Sequence, residues 1–259
     1  LAGTREWVFD AVEKWRVDPD AAKLFWLVGG GGTGKSVAAA ELLARLLDKE
    51  NAAAWHFCKH TEPARSAPAV LLRSLAGMLC ATVEGFENEL RTNKTLTNKI
   101  NEINAHCESH KEENEVKKRL TEERRRLVEK LERVKAVTTG AAPAGISELF
   151  KVLIAEPLQN IVAPRGADDA LVLIIDALDE LPRDALKPVL SLLANELKAL
   201  PPWIKIVVTS RDEAQIKATL KGYTPSELRV DEARNRQDVR AYLTELAKEH
   251  VELEVTMES

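Results

Sequence analysis

The sequence has little cysteine, no strong excess of either charge and no long apolar run. Its three cysteines, Cys58, Cys80 and Cys107, are odd in number and far apart, which argues against a disulfide framework and favours a reducing, cytoplasmic setting. No stretch reaches the roughly 18 apolar residues that a membrane helix needs, so we predict no spanning segment. The start at Leu1–Gly3 has neither an initiator methionine nor a signal-peptide pattern, so we expect an excised fragment.

What remains is the composition of a globular protein, with 45% hydrophobic and 30% charged residues in a chain of 259. That length is enough for one large α/β domain or two small ones. Lys and Arg total 37 against 41 for Asp and Glu, which gives a net charge of −4. Because a nucleic-acid-coating protein needs a clearly basic face, this balance argues against that function.

Short apolar runs alternate with helical patterns along most of the chain. The predicted strands are Leu24–Val28, Ala53–Phe57, Leu171–Asp176, Ile204–Thr209 and Glu227–Val230. The third and fourth are rich in branched residues, as buried parallel strands are. This alternation predicts an α/β fold of three layers, in which helices cover both faces of a parallel sheet of about five strands.

A charged segment interrupts this alternation at residues 87–135. Of the 25 residues from 111 to 135, 17 are charged, and the apolar ones between them lie at helical spacings. Leu96, Ile100, Ile103 and Cys107 repeat at the same steps. We therefore predict an inserted charged helical hairpin, possessing some coiled-coil character, with its linker at 87–141. The core is then formed by residues 1–86 and 142–259, with a last helical stretch at 235–250.

The most specific motif is Gly29-Gly-Gly-Gly-Thr-Gly-Lys-Ser36, which matches G-x-x-x-x-G-K-[ST] between a predicted strand and a predicted helix. Glycines let backbone N–H groups approach phosphates, and the helix N-terminus favours an anion. Lys35 can reach the β and γ phosphates, and the Ser36 hydroxyl can ligate Mg²⁺. The candidate nucleotide-binding residues here are Gly29, Gly30, Gly31, Gly32, Thr33, Gly34, Lys35, Ser36 and Val37.

Acidic residues end the predicted strand Leu171–Asp176. Asp176, a carboxylate at the end of a strand, can hold Mg²⁺ directly or through water, as the aspartate of a Walker B motif does. Asp179 or Glu180 follows one turn later and could orient or deprotonate the attacking water, and the sequence leaves that choice open. The alternative is that these acids only cap the helix that follows.

A third element, Thr209-Ser-Arg211, ends the next predicted strand. The C-terminal ends of parallel strands line the ligand crevice, so Arg211 is placed to sense a γ-phosphate. An ordinary solvated surface role is the alternative for an arginine at a strand end.

With these motifs the chain resembles the NACHT-type members of the STAND class of P-loop NTPases, and among them the nephrocystin-3-like N-terminal NTPase module. The resemblance covers about residues 1–86 and 142–250. It also rests on Gly3-Thr-Arg5 and on the apolar stretch Phe150–Leu158. The D-x-x-D-E form, with small Ala177 straight after the first Asp, separates this class from AAA+ ATPases, in which Asp and Glu are adjacent.

The resemblance implies a P-loop NTPase fold and a regulatory switch that binds ADP at rest and ATP when activated, with slow Mg²⁺-dependent hydrolysis. It implies self-association after nucleotide exchange and an unidentified protein partner. It places Arg5 near the adenine, makes Asp179 or Glu180 and Arg211 catalytic, and puts Ser36 and Asp176 on Mg²⁺. A guanine-specifying Asn-Lys-x-Asp element is absent from the sequence, which favours ATP over GTP.

Two weaker signals have more ordinary interpretations. His56, Cys58 and His60 alternate at a strand end and could bind zinc, but a fourth ligand at known spacing is lacking. Arg124–Arg126 could contact nucleic acid or an acidic partner, but the glutamates around it favour a salt-bridged face that solvent covers.

Two competing functions stay open. In the first, the helical hairpin recruits a protein partner through its Leu and Val residues, and nucleotide is only structural. In the second, the chain is a metabolic P-loop kinase; a substrate lid with a basic cluster is not evident, so we rank it last.

Overall fold

The computed structural model describes residues 5–62, 67–109, 115–141, 144–163 and 169–228, together with residues 240 and 244. The strands are β1 (Leu24–Gly29), β2 (Ala52–Phe57), β3 (Leu171–Asp176), β4 (Ile204–Ser210) and β5 (Pro225–Leu228). The helices before β3 are α1 (Glu6–Val17), α2 (Lys35–Asp48), α3 (Pro68–Thr82), α4 (Phe86–Thr92), α5 (Lys94–Ser109), α6 (Glu115–Thr139), α7 (Ile146–Phe150), a π-helical turn (Lys151–Ala155) and α8 (Glu156–Gln159). After β3 come a 3₁₀ turn (Leu178–Glu180), α9 (Arg183–Asn195), a second 3₁₀ turn (Leu197–Ala199) and α10 (Ala214–Thr219).

The strands form one parallel sheet in the order β2-β3-β4-β1-β5, which confirms the predicted α/β architecture. The first four strands lie where the sequence placed them, within one residue at each end. The fifth begins earlier than predicted, at Pro225, and residues 229–230 of the prediction lie outside the described ranges. A proline is tolerated there because it is the first residue of β5, which lies at the edge of the sheet among the described strands.

Side chains alternate across the sheet and define the three layers. On β3, Leu171, Leu173 and Ile175 belong to the main core, which α3, α7, the π-helical turn, α9 and α10 complete. Val172 and Ile174 point to the opposite face, where they pack with apolar residues of α1 and α2. The sheet is therefore covered on both faces, as near-continuous apolar strands require.

Two helices, α5 and α6, occupy the segment predicted as a charged hairpin, and we call them the helical hairpin. They contact each other, and Arg124 Nε donates to Asn104 Oδ1 at 2.6 Å. Leu96, Ile100 and Ile103 of α5 are buried, and Val134 and Val137 near the end of α6 join the main core. The apolar repeat thus serves packing within the chain. That this hairpin is an insertion into a separate core stays a prediction.

Solvent-exposed ion pairs stabilise the middle of α6. Arg125 pairs with Glu122 at 2.8 Å and with Glu129 at 2.5 Å, and Arg126 pairs with Glu122 at 3.1 Å. Such pairs, three or four residues apart on a helix, contribute little each to its stability because solvent screens them. This is the salt-bridged face that the neighbouring glutamates predict.

None of the helices in the described ranges combines the length and the apolar character that a membrane crossing requires. The cytoplasmic location stays a prediction. The predicted helical stretch at 235–250 lies almost wholly outside the described residues.

Candidate functional site

The sequence motifs meet at the edge of the sheet where β1, β2, β3 and β4 end. Parallel pairing brings their last residues into register, Val28 opposite Ser210 and Phe57 opposite Asp176. Since the carboxyl ends of parallel strands form the ligand crevice of open α/β sheets, this edge is the candidate site.

The glycine-rich loop, Gly29–Ser36, joins β1 to α2. Gly32 and Gly34 have φ angles of +72° and +78°, a left-handed backbone that glycine adopts at little cost. A Cβ on Gly31 or Gly32 would meet no atom within 4 Å, so the outer side of the loop is open. The Thr33 hydroxyl donates to Gly30 O at 3.0 Å and closes the turn. The loop therefore leaves room beside its backbone at the start of a 14-residue helix.

Arg5 contacts the backbone at the end of this loop. Its guanidinium donates to Gly34 O at 2.6 Å and to Thr33 O at 2.7 Å. A Cβ on Gly34 would lie 2.5 Å from Arg5 Nη2, so a side chain here would displace the guanidinium. The structure thus gives Arg5 a contact with the loop backbone that the sequence did not indicate. The adenine contact that the resemblance implies stays a prediction.

Lys35 lies folded over the loop, where its ammonium donates to Gly29 O and Gly30 O at 2.8 Å each. Burial lowers the pKa of Lys35; Asp179 and Asp176 act in the opposite sense, whereas Arg211 lowers it further. These charges interact because the three motifs lie together, as the sequence predicts. Ser36 and Val37, at the start of α2, are exposed.

Asp176 is the most buried acid of the site, with 2% of its surface exposed. The Thr209 hydroxyl donates to Asp176 Oδ1 at 2.5 Å and accepts a hydrogen bond from Ala177 N at 2.9 Å. Thr209 therefore orients the carboxylate. The sequence analysis included Thr209 in the motif Thr209-Ser-Arg211 but did not predict this role.

Ala177, directly after Asp176, has a strained backbone conformation. Its φ of +55° is left-handed, a conformation that costs roughly 1–2 kcal/mol for a residue with a Cβ. The turn it makes leads into the 3₁₀ turn Leu178–Glu180, which carries both remaining acids.

Asp179 and Glu180 have different surroundings. Asp179, 6% exposed, accepts a hydrogen bond from Arg211 N at 2.8 Å and pairs with Arg211 Nε at 3.1 Å. Glu180, 22% exposed, has its Oε1 at 3.4 Å from Arg211 Nη2 and contacts His60 Nδ1 with Oε2. The hydrogen bond from His60 is the main reason why the pKa of Glu180 lies below its ordinary value, and Arg211 adds to that effect. Asp179 thus positions Arg211, while Glu180 is the more accessible carboxylate.

The zinc alternative has no support in the described residues, which contain no group of three or more His, Cys, Asp or Glu side chains placed to hold a metal ion. His56 and Cys58 are buried at the end of β2, and the His60 side chain contacts Glu180. Burial, followed by the charges of Asp176, Asp179 and Glu180, raises the pKa of Cys58 to about 12. A protonated thiol is a poor metal ligand.

Comparison with known proteins agrees with the motifs. A search of curated proteins returned no match. A family model described as nephrocystin 3, N-terminal, matches residues 3–133 and 116–211. These two overlapping segments include the glycine-rich loop, the acidic strand end and Arg211, and they run through the helical hairpin as well. The match covers far more than half of the sequence, so the chain belongs to the nephrocystin-3 N-terminal family.

Proposed function

We propose that this chain is a nucleotide-operated switch of the NACHT-type STAND class. It binds ADP or ATP with Mg²⁺ at the carboxyl edge of the sheet and hydrolyses ATP slowly, and the bound nucleotide controls self-association. One observation carries the proposal: an open glycine-rich loop and Lys35 lie at the start of α2, within electrostatic reach of the buried Asp176.

The loop has the properties that phosphate binding needs. The space beside Gly31 and Gly32 allows an anion to approach the backbone, and the N-terminus of α2 carries partial positive charge. Lys35 now donates to two carbonyl oxygens, which a phosphate would replace as its partner. A phosphate carries a full negative charge that the carbonyl oxygens lack, so the exchange replaces bonds to neutral acceptors with an ion pair and favours the bound state.

The donor set fits Mg²⁺. This ion prefers hard oxygen ligands and is commonly held by one or two carboxylates together with substrate phosphates, so three protein ligands are not required. Ser36 and Asp176 supply a hydroxyl and a carboxylate, and Thr209 holds Asp176 in one orientation. When bound, Mg²⁺ and the nucleotide supply the polarised phosphoryl group on which hydrolysis acts.

We assign the water-activating role to Glu180 and a positioning role to Asp179. Asp179 is occupied by the backbone and side chain of Arg211, whereas Glu180 is more exposed. To accept a proton from water, Glu180 must give up part of its contact with His60, which favours slow turnover. Arg211 links both acids, so a γ-phosphate that attracts its guanidinium would loosen this network and report the nucleotide state.

Calorimetric titration with ADP and with MgATP tests the binding site. The Lys35→Ala variant removes the charge at the loop, and Lys49→Ala at the far end of α2 is the matched control. We expect binding by the wild type and by Lys49→Ala, and none by Lys35→Ala. At a hundredfold excess over Kd, ligand should stabilise the wild type by about 2.7 kcal/mol. A folded wild type that binds neither nucleotide would refute the proposal.

The alternative, in which the helical hairpin recruits a partner, loses much of its basis in this structure. The apolar residues on which it relied are largely used inside the chain, since Leu96, Ile100 and Ile103 are buried. In α6, Val116 is exposed to solvent over 56% of its surface. No observation favours this function over nucleotide binding.

A further inference from the structure

A cavity of about 500 Å³ lies where the helical hairpin meets the core. Its walls come from α3, α4, the end of α6 and the π-helical turn, and it shares no residue with the candidate nucleotide site. The lining residues are Arg73, Ala76, Gly77, Cys80, Leu90, Arg91, Lys135, Thr138, Thr139 and Leu153. The volume lies within the range of about 300–1,000 Å³ that small-molecule sites occupy.

The cavity has an apolar floor and a basic rim. Ala76 and Leu153 at its base are 3% and 2% exposed. Arg73, Arg91 and Lys135 of the lining are exposed, and none of the lining residues that the structure describes is Asp or Glu. Three positive charges beside an apolar surface match a ligand that has an anionic end and a hydrocarbon body.

The partners of these cations leave them able to bind an anion. Arg73 donates to the Val137 and Thr138 carbonyl oxygens at 3.1 and 2.9 Å, which uses two of the five N–H groups of a guanidinium. Arg91 and Lys135 each pair with a glutamate on their own helix, at 2.8 and 2.9 Å, outside the lining. Pairs this exposed are weak because solvent screens them, so a ligand can compete with them.

Gly77 keeps the cavity open. It lies inside α3, where glycine is less favourable than alanine. The backbone does not require glycine at this position, because its φ is not positive. Crowding does not require it either, because a Cβ there would meet no atom within 4 Å. A larger side chain at this position would extend into the space that the lining encloses.

We propose that this cavity binds a small organic anion, with a carboxylate or phosphate group at the basic rim and a short hydrocarbon chain on the apolar floor. Because the walls belong to both the helical hairpin and the core, the ligand fastens the end of α6 to α3. The proposal is independent of nucleotide binding.

Titration calorimetry with octanoate, octyl phosphate and octan-1-ol tests the chemistry. We expect both anions to bind and the neutral alcohol to bind at least tenfold more weakly. Binding of only one anion identifies the carboxylate or the phosphate as the group recognised. Equal binding of octan-1-ol, or no binding of either anion at millimolar concentration, overturns the proposal.

Paired variants locate the site. Gly77→Leu should abolish anion binding, whereas Gly145→Leu, at a glycine with similar open space outside the lining, should not change it. Lys135→Gln should weaken binding about 2–5-fold, as loss of one exposed charge pair predicts, and Lys130→Gln on the same helix should leave it unchanged. Octanoate should also slow amide hydrogen exchange at residues 134–139 of the wild type. Unchanged binding by Gly77→Leu would place the ligand elsewhere and refute the assignment.

Discussion

Gly34→Ala tests how Arg5 and the glycine-rich loop depend on each other. A Cβ on Gly34 would lie 2.5 to 2.9 Å from three atoms of the Arg5 guanidinium, closer than real contacts allow. The guanidinium is the end of a flexible side chain, so it can shift away from its two carbonyl partners, Gly34 O and Thr33 O. The substitution also places an alanine at a φ of +78°.

The two effects have separate magnitudes. The left-handed backbone costs about 1–2 kcal/mol for a residue with a Cβ. Each hydrogen bond from a charged donor contributes about 1.5–3 kcal/mol, and we take the lower end because Arg5 is only half-buried. The loss of unfolding free energy for Gly34→Ala should thus exceed the backbone cost and reach at most about 4–5 kcal/mol, the value for complete loss of both hydrogen bonds. Gly32→Ala, at φ +72° with open space at its Cβ, should lose only the first 1–2 kcal/mol.

Urea denaturation followed by circular dichroism measures these losses, provided that the slope with urea stays equal among variants. Arg5→Gln supplies the second arm of a double-mutant cycle, since glutamine meets the same backbone requirement but lacks the guanidinium. Adding Arg5→Gln to Gly34→Ala should cost little more, because the contacts are already broken. Equal losses for Gly34→Ala and Gly32→Ala would refute the reasoning.

Three further changes follow from the site and the sheet. Thr209→Val leaves the oriented oxygen of Asp176 without its donor and should cost about 1–3 kcal/mol of unfolding free energy, which Thr209→Ser should largely restore. Because the pKa of Glu180 is lower in the folded state than its ordinary value of 4.5, this group stabilises the folded protein at pH values above 4.5, and the contribution is lost as the pH falls through the folded pKa. In His60→Ala, NMR of the carboxyl group should show that the pKa of Glu180 has moved upward. Lys205→Met removes an ammonium that donates to two carbonyl oxygens at the end of α1, at 2.6 and 2.5 Å, and should lower the urea midpoint.

The sequence predicts most of the sheet and the set of site motifs because both are local patterns. The strand Leu171–Asp176 agrees with its prediction at both ends, since an unbroken apolar run stops there at an acid. The glycine-rich loop is equally local, as its spacing, its strand and its helix are adjacent in sequence. These features need no knowledge of tertiary contacts.

Contacts between distant segments could not be predicted in this way. Arg5 reaches carbonyl groups 28 and 29 residues away, and His60 contacts Glu180 across 120 residues. Hydropathy and spacing carry no signal for such pairs, because an exposed Arg or His has the same local pattern with or without a partner. The π-helical turn Lys151–Ala155 was also not predicted, since its residues have ordinary helical propensity.

The position of β4 in the middle of the sheet has a consequence for biosynthesis. The strand that leads into the glycine-rich loop pairs only with β4 and β5, both of which are made after the whole helical hairpin. Residues 24–29 therefore leave the ribosome long before β4 and β5 are synthesised. Until then, the backbone groups of this apolar strand lack their β-sheet hydrogen bonds. Such distant pairing slows folding and exposes unpaired strand edges. We expect the nascent chain to need protection by a chaperone until β5, which ends at residue 228, has emerged.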